Sequence, residues 1–152
     1  MKKQLLALAV LALAAGTASA QANDTLAKIK SSGTVNLGVR DSSGLAFTIG
    51  GGKYVGFHTE MAERIVDDLK KVTGNPNLKI NYQVITSQNR IPLLQNGTID
   101  FECGSTTNNL TRQKDVAFAV TTYVEEVRMA VKANSGIKSI KDLNGKNVAT
   151  TT

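Results

Sequence analysis

Cysteine occurs once, at Cys103, and histidine once, at His58. One thiol closes no disulfide within the chain, and neither residue has neighbours at zinc-binding spacings such as His-Glu-x-x-His. A lone histidine with no serine or cysteine nucleophile beside it is also a poor base for covalent catalysis. Tryptophan is absent, and four Phe and three Tyr leave little for stacking on bases. The 18 Lys and Arg outnumber the 12 Asp and Glu, giving +6, but acids are interspersed among them. That is a solvated surface rather than a basic stripe, so no nucleic-acid partner is expected. The three glycines of Gly50-Gly51-Gly52-Lys53 have no downstream Gly-Lys-Ser/Thr, so they fit a tight turn rather than a phosphate loop. No cofactor or metal is expected.

Long apolar runs are equally scarce. The one present, Leu5 to Ala15, is shorter than the about 20 residues that a membrane helix needs. It follows Met1-Lys2-Lys3 and precedes Ala18-Ser19-Ala20, the three parts of a cleavable secretory signal. Cleavage is expected after Ala20, making residues 1–20 the signal and placing the product outside the cytoplasmic membrane. No Cys lies near the cleavage point to carry a lipid. Removing 20 residues and their two lysines from a chain of 152 residues and +6 leaves 132 residues at +4. The final Val148-Ala149-Thr150-Thr151-Thr152 reads as a strand without a finish, and a truncated chain is the expectation.

Periodicity divides the rest. Leu26, Ala27 and Ile29 suit a short helix ending at Gly33, and Val35, Leu37 and Val39 alternate as a strand. Leu45 to Ile49 forms a second apolar piece. Phe57, Met61, Ile65, Leu69 and Val72 then recur at helical spacing, with acids early and lysines late as the helix dipole favours. Ile80, Tyr82 and Val84 make another strand. A helix over Asn89–Gln95 follows, with Pro92 in its first turn, and a strand over Ile99–Cys103 carries the thiol on its apolar side. Thr106 to Lys114 is a polar loop entering a short helix. Val127, Met129 and Val131 read as a strand, Ser139–Asp142 as a capped helix start, and Lys146 as the start of a further strand. Short strands joined by helical crossovers imply an α/β unit with a largely parallel sheet. A domain change is expected between Ala119 and Lys132.

Three polar segments each follow a predicted strand: Arg40-Asp41-Ser42-Ser43, Thr86-Ser87-Gln88-Asn89-Arg90, and Gly104-Ser105-Thr106-Thr107 continuing to Arg112. Ligand sites of open α/β sheets gather at the carboxyl ends of strands, so these segments can converge. A guanidinium fork accepts a carboxylate at both oxygens, and serine and threonine hydroxyls add donors. Each arginine also has a surface role open to it: Arg40 beside Asp41, Arg90 on a solvent face, Arg112 beside Asp115. Asp100 and Glu102 share a strand face; strand-edge acids are a simpler account of them than an acid–base pair.

The run Thr86-Ser87-Gln88-Asn89-Arg90-Ile91-Pro92-Leu93-Leu94-Gln95-Asn96-Gly97-Thr98 resembles the periplasmic solute-binding proteins of family 3, which serve ABC importers of polar amino acids. So does Asp100-Phe101-Glu102-Cys103-Gly104-Ser105-Thr106-Thr107-Asn108-Asn109 with Arg112-Gln113-Lys114, and both runs are most similar to the branch that binds glutamate and aspartate. The resemblance extends from Leu26 to Thr152. It implies a periplasmic-binding-protein-like α/β fold of two lobes (class II), of which most of the second lies beyond this chain. Residues 21–120 then belong to the first lobe, 121–125 to the first hinge crossing and 126–152 to the start of the second lobe. By the same resemblance Arg112 and Thr107 hold the α-carboxylate of L-glutamate or L-aspartate, and Ser105 accepts from its ammonium. Arg40, Ser87 and Arg90 hold its side-chain carboxylate, and the partner is a membrane permease/ATPase complex. His58 stands where many relatives have an acid, and no binding role is attached to it. Thr150 to Thr152 are read as the start of a second-lobe loop near the ligand. Two alternatives stay open: an enzyme on the same lobes, a dehydratase or transglycosylase-associated domain, would show an acid or base facing the cleft. A sensor domain of a membrane receptor would show a second long apolar span.

Overall fold

The structure, a computed structural model, describes residues 24–149. The secretory signal and the Thr150–Thr152 loop expected from the sequence lie outside the described residues. Helix α1 spans Thr25–Ser32; the Asp24 side chain accepts from the Ala27 N–H at its start, and Gly33 at φ 65° ends it. Strand β1 (Thr34–Val39) follows, then β2 (Ser42–Ser43), β3 (Ala46–Gly50) and β4 (Lys53–Val55). Helix α2 (Phe57–Thr73), β5 (Lys79–Val84), α3 (Arg90–Gln95) and β6 (Phe101–Glu102) complete the regular part, with single 3-10 turns at Arg112–Lys114 and Ile140–Leu143.

Strands β5, β1 and β6 form a parallel sheet in that order, with Leu37 opposite Tyr82 on one side and Phe101 on the other. The expected α/β unit with a parallel sheet is present. Strands β2, β3 and β4 form a separate antiparallel ribbon. Gly56 joins that ribbon to α2 at φ 117°, and a Cβ there would sit 2.5 Å from the Leu45 carbonyl oxygen. Only glycine lets the two backbones approach so closely.

Two buried clusters sit between α2 and the parallel sheet. Ile29, Val35, Val66 and Leu78 make one, and Leu37, Val39 and Ala62 the other, with Tyr54, Tyr82 and Cys103 packed at its margin. The helix face that does this differs from the stripe read in the sequence. Thr59, Ala62, Val66 and Thr73 are buried, whereas Phe57, Ile65 and Val72 are 48%, 39% and 64% exposed. A helix turns about 100° per residue, so the two stripes lie roughly a quarter-turn apart. Small Ala62 and Thr59 let the helix settle close on the sheet, and the larger apolar residues are left on its flank.

Beyond Ala119 the chain departs further from expectation. No strand forms over Val127–Val131 or from Lys146 among the described residues, and Val127 is fully exposed. Alternating side chains make a strand only when backbone N–H and C=O groups find a partner strand, and none lies alongside this segment among the described residues. Of the expected short helix before Lys114, only the 3-10 turn at Arg112–Lys114 forms. The turn at Ile140–Leu143 has the expected capping box, with Ser139 and Asp142 bonding reciprocally.

Candidate functional site

The β1–β5 pairing continues past its last regular residues, the Ile85 N–H donating to the Val39 carbonyl at 2.9 Å. This carries Thr86 and Ser87 up beside Arg40, both segments leaving the carboxyl end of the sheet. A reciprocal lock then fixes the turn: the Thr86 N–H donates to Asn89 Oδ1 at 2.7 Å, and the Asn89 N–H to Thr86 Oγ1 at 3.2 Å. The lock delivers Arg90 into the first turn of α3. Arg40 Nη1 donates to Ser87 Oγ at 3.3 Å.

Arg90 is 4% exposed, and its Nε and Nη1 have no hydrogen-bond partner; Arg40 Nε is likewise buried without one. Burial lowers the proton affinity of the Arg90 guanidinium, opposed by the attraction of Glu102 and reinforced by the nearby charges of Arg112 and Arg40. Glu102, on β6, is the matching centre. Burial pushes its carboxyl up from the ordinary range, while Arg90, Arg40 and Arg112 pull it back down. Its Oε1 accepts from the Thr106 hydroxyl, and its Oε2 is buried with no donor. Arg112 approaches from the 3-10 turn, its Nη1 donating to the Thr107 carbonyl oxygen at 3.0 Å and its N–H to Asn109 Oδ1 at 2.9 Å.

Arg90 therefore lies within reach of the charges of Arg40 and Arg112 at one end of the sheet, with Ser87 bonded to Arg40. Their expected surface alternatives do not occur: among the described residues no ion pair joins Arg40 to Asp41 or Arg112 to Asp115. Ser105 and Thr107 lie in the exposed loop that follows β6. The arrangement holds concentrated positive charge with buried N–H donors left open, and it suits an anion with flat, two-oxygen ends.

Asp100 and Glu102 do not form a pair. Asp100 precedes β6, and its side chain, 1% exposed, accepts from Lys28 Nζ at 2.8 Å and from the Asn36 N–H at 2.7 Å. It braces the amino end of the sheet, beside a hollow of about 210 Å³ lined by Thr25, Lys28, Leu94 and Gly97. Glu102 serves the other end. The sequence singled out the arginines but not this carboxylate; the signal that could have found it is its place two residues before a glycine in a strand-end loop.

His58 is buried in the first turn of α2, with its Nε2 3.4 Å from Thr122 Oγ1. Burial lowers its proton affinity, with Glu125 opposing. The Phe57 and Tyr123 rings stand beside this contact with centroids 6.4 Å apart, so the segment around 121–125 is tied to the start of α2. Cys103 is a free, half-buried thiol that burial and then Glu102 push up to about 11. Among the described residues there is no group of three or more His, Cys, Asp or Glu side chains placed to hold a metal, and no helix long and apolar enough to cross a membrane.

Comparison with known proteins adds a family. The chain matches the bacterial extracellular solute-binding proteins, family 3, over residues 35–149. It is 45% identical over 152 residues to the L-glutamate/L-aspartate-binding protein of Pseudomonas aeruginosa, covering 97% of this chain and 50% of that one. It is 44% identical over 157 residues to the glutamate/aspartate import solute-binding protein of Salmonella typhimurium, covering 99% and 52%. The chain thus spans about half the length of the curated relatives it matches. Among solved structures, an ancestral cationic amino acid solute-binding protein superposes with a TM-score of 0.55 at 25% identity, over 80% of this chain and 51% of that one.

Proposed function

Because the chain belongs to the bacterial extracellular solute-binding proteins of family 3, we propose that it acts in the periplasm as the substrate-binding component of an ABC importer for glutamate and aspartate. The observation that carries this reading is the meeting of Arg40, Arg90 and Arg112 around the strand ends, with Arg40 Nε and Arg90 Nε and Nη1 buried and unbonded. Buried donors are rarely left open, and an acidic amino acid supplies acceptors to them. Two relatives named for binding or importing glutamate and aspartate support the same choice.

In this reading Arg112 takes the ligand's α-carboxylate with Thr107, and Ser105 accepts from its ammonium. Arg40, Ser87 and Arg90 take the side-chain carboxylate. The segment 121–125 is the first crossing between two lobes, residues 21–120 form the first lobe and 126–152 begin the second. Lobe closure would exclude water from the charge pairs and create the surface that docks on a permease/ATPase complex. No bond is made or broken.

Selectivity follows from the charges. A neutral amide in place of the side-chain carboxylate would offer the buried, unbonded N–H groups of Arg40 and Arg90 one uncharged oxygen instead of two charged ones, and losing one partner of a buried charge pair costs about 3–5 kcal/mol. Isothermal titration calorimetry of the full-length gene product with glutamate, aspartate, glutamine and asparagine tests this. The acids should bind at least about a hundredfold more tightly than the amides. Comparable affinities for glutamate and glutamine would remove the physical basis of the reading.

A further inference from the structure

Glu102 lies close enough to Arg90, Arg40 and Arg112 for their charges to act on it, yet no role in holding the ligand falls to it. Its place is fixed from several sides. Glu102 pairs in register with Gly38 of β1, whose missing Cβ would lie 3.2 Å from the Glu102 Cβ. A Cβ on Gly104 would stand 3.2 Å from Glu102 Oε2 and 3.8 Å from Arg40 Cγ. The carboxylate therefore sits tight against the loop that carries Ser105 and Thr107, at the same glycine that the stem of Arg40 approaches. Thr106 donates to its Oε1 and holds it from the loop side.

Glu102 nevertheless leaves the arginines unsatisfied. Its Oε2 has no donor, and Arg40 Nε and Arg90 Nε and Nη1 have no acceptor. Opposite charges close enough to attract, but not bonded, neutralise part of the field while the N–H groups stay free. Three guanidiniums and one carboxylate sum to +2, whereas the guest proposed above carries two carboxylates and one ammonium, a net −1. Without Glu102 the same pocket would stand at +3.

We propose that Glu102 is the resident counter-ion of this site, a positioning residue that steadies Arg40, Arg90 and Arg112 and tunes the pocket to a zwitterionic acid rather than to a plain dianion. The assignment rests on the binding role proposed above. Glutarate is the probe that separates the two guests, being glutamate without its ammonium and so one unit more negative. Replacing Glu102 by glutamine adds one positive unit to the pocket at nearly constant shape. The extra charge acts more strongly on the dianion.

Calorimetry on the full-length gene product and its Glu102→Gln variant, each with L-glutamate and with glutarate, reads the effect. The glutarate-to-glutamate affinity ratio should rise about tenfold in the variant, and Glu102→Asp, which keeps the charge, should hold the wild-type ratio even where both affinities weaken. A ratio unmoved in Glu102→Gln, or raised equally in Glu102→Asp, overturns the assignment. Should Glu102→Gln fail to fold, carbon NMR of wild-type protein labelled at glutamate Cδ decides. An ionised Glu102 at neutral pH that shifts on adding L-glutamate supports the counter-ion, and a protonated or unresponsive one overturns it. Wild-type protein that binds neither probe overturns the binding role itself and this inference with it. Wild-type binding with an unmoved ratio overturns the inference alone.

Discussion

Arg90→Met separates what the buried guanidinium does for the ligand from what it does to the fold. Arg90 is 4% exposed with two N–H groups unbonded. Each buried polar group without a partner costs about 1–3 kcal/mol. Attraction to Glu102 offsets part of that, and repulsion from Arg112 and Arg40 adds to it. Methionine keeps much of the apolar stem and removes the charge, at the loss of some packing around the guanidinium plane. The net expectation is an unliganded protein within about 1 kcal/mol of the wild type, because the unbonded N–H groups no longer have to be buried while Glu102 loses one of three nearby positive charges but no hydrogen bond. Affinity moves much further. Truncating one member of a buried charge pair between partners costs about 2–5 kcal/mol, or roughly 30-fold to several thousand-fold. Urea denaturation without ligand and calorimetry with glutamate measure the two effects on one preparation. A variant that is destabilised by more than about 2 kcal/mol while binding glutamate normally would refute the reasoning, because Arg90 would then be a structural residue.

Gly38→Ala places a Cβ 2.8 Å from Ile99 Cδ1 and 3.2 Å from Ile85 Cδ1, both side chains buried. Overpacking of this kind costs about 1–3 kcal/mol, to be read as a lower urea midpoint; an unchanged midpoint would mean Ile99 swings aside freely. Cys103, with its thiol pushed up to about 11, should react with iodoacetamide at pH 8 roughly two orders of magnitude more slowly than an ordinary thiol, and a rate like that of free cysteine would contradict its packing. His58 in the fold lies below its ordinary 6.5 because burial disfavours the imidazolium. The unfolded chain then binds that proton more readily, so this contribution is intact above 6.5 and is lost as pH falls through the lower folded value. Urea midpoints taken on either side of that window should show a shallower acid loss in His58→Gln than in the wild type; parallel curves would assign the acid limb elsewhere.

The parallel sheet was legible because β1 and β5 alternate cleanly, with Val35, Leu37 and Val39 against Ile80 and Tyr82, and because α2 has a helical period between them. Which face of α2 turns inward was not. Phe57, Ile65 and Val72 outrank Thr59 and Ala62 in hydrophobicity, yet close approach to a sheet rewards small side chains. The arginines were legible through topology, since each segment follows a strand and strands of a parallel sheet end on the same side. Glu102 was not, because a two-residue period pairs it with Asp100, whereas the regular strand begins only at Phe101. Asp100 is thereby free to turn to Lys28 and the Asn36 N–H. The 127–131 segment shows the reverse failure: alternation marks a surface able to pair, and pairing depends on a neighbour that local sequence does not specify.

A crystal structure of the full-length gene product with L-glutamate bound decides whether the three guanidiniums hold the ligand. One ligand carboxylate should lie within hydrogen-bond distance of Arg112 and the other within that distance of Arg40 and Arg90, filling the donors that stand open on Arg40 Nε and Arg90 Nε and Nη1. Glutamate found away from these three guanidiniums, with Arg90 still buried and unbonded, would contradict this placement.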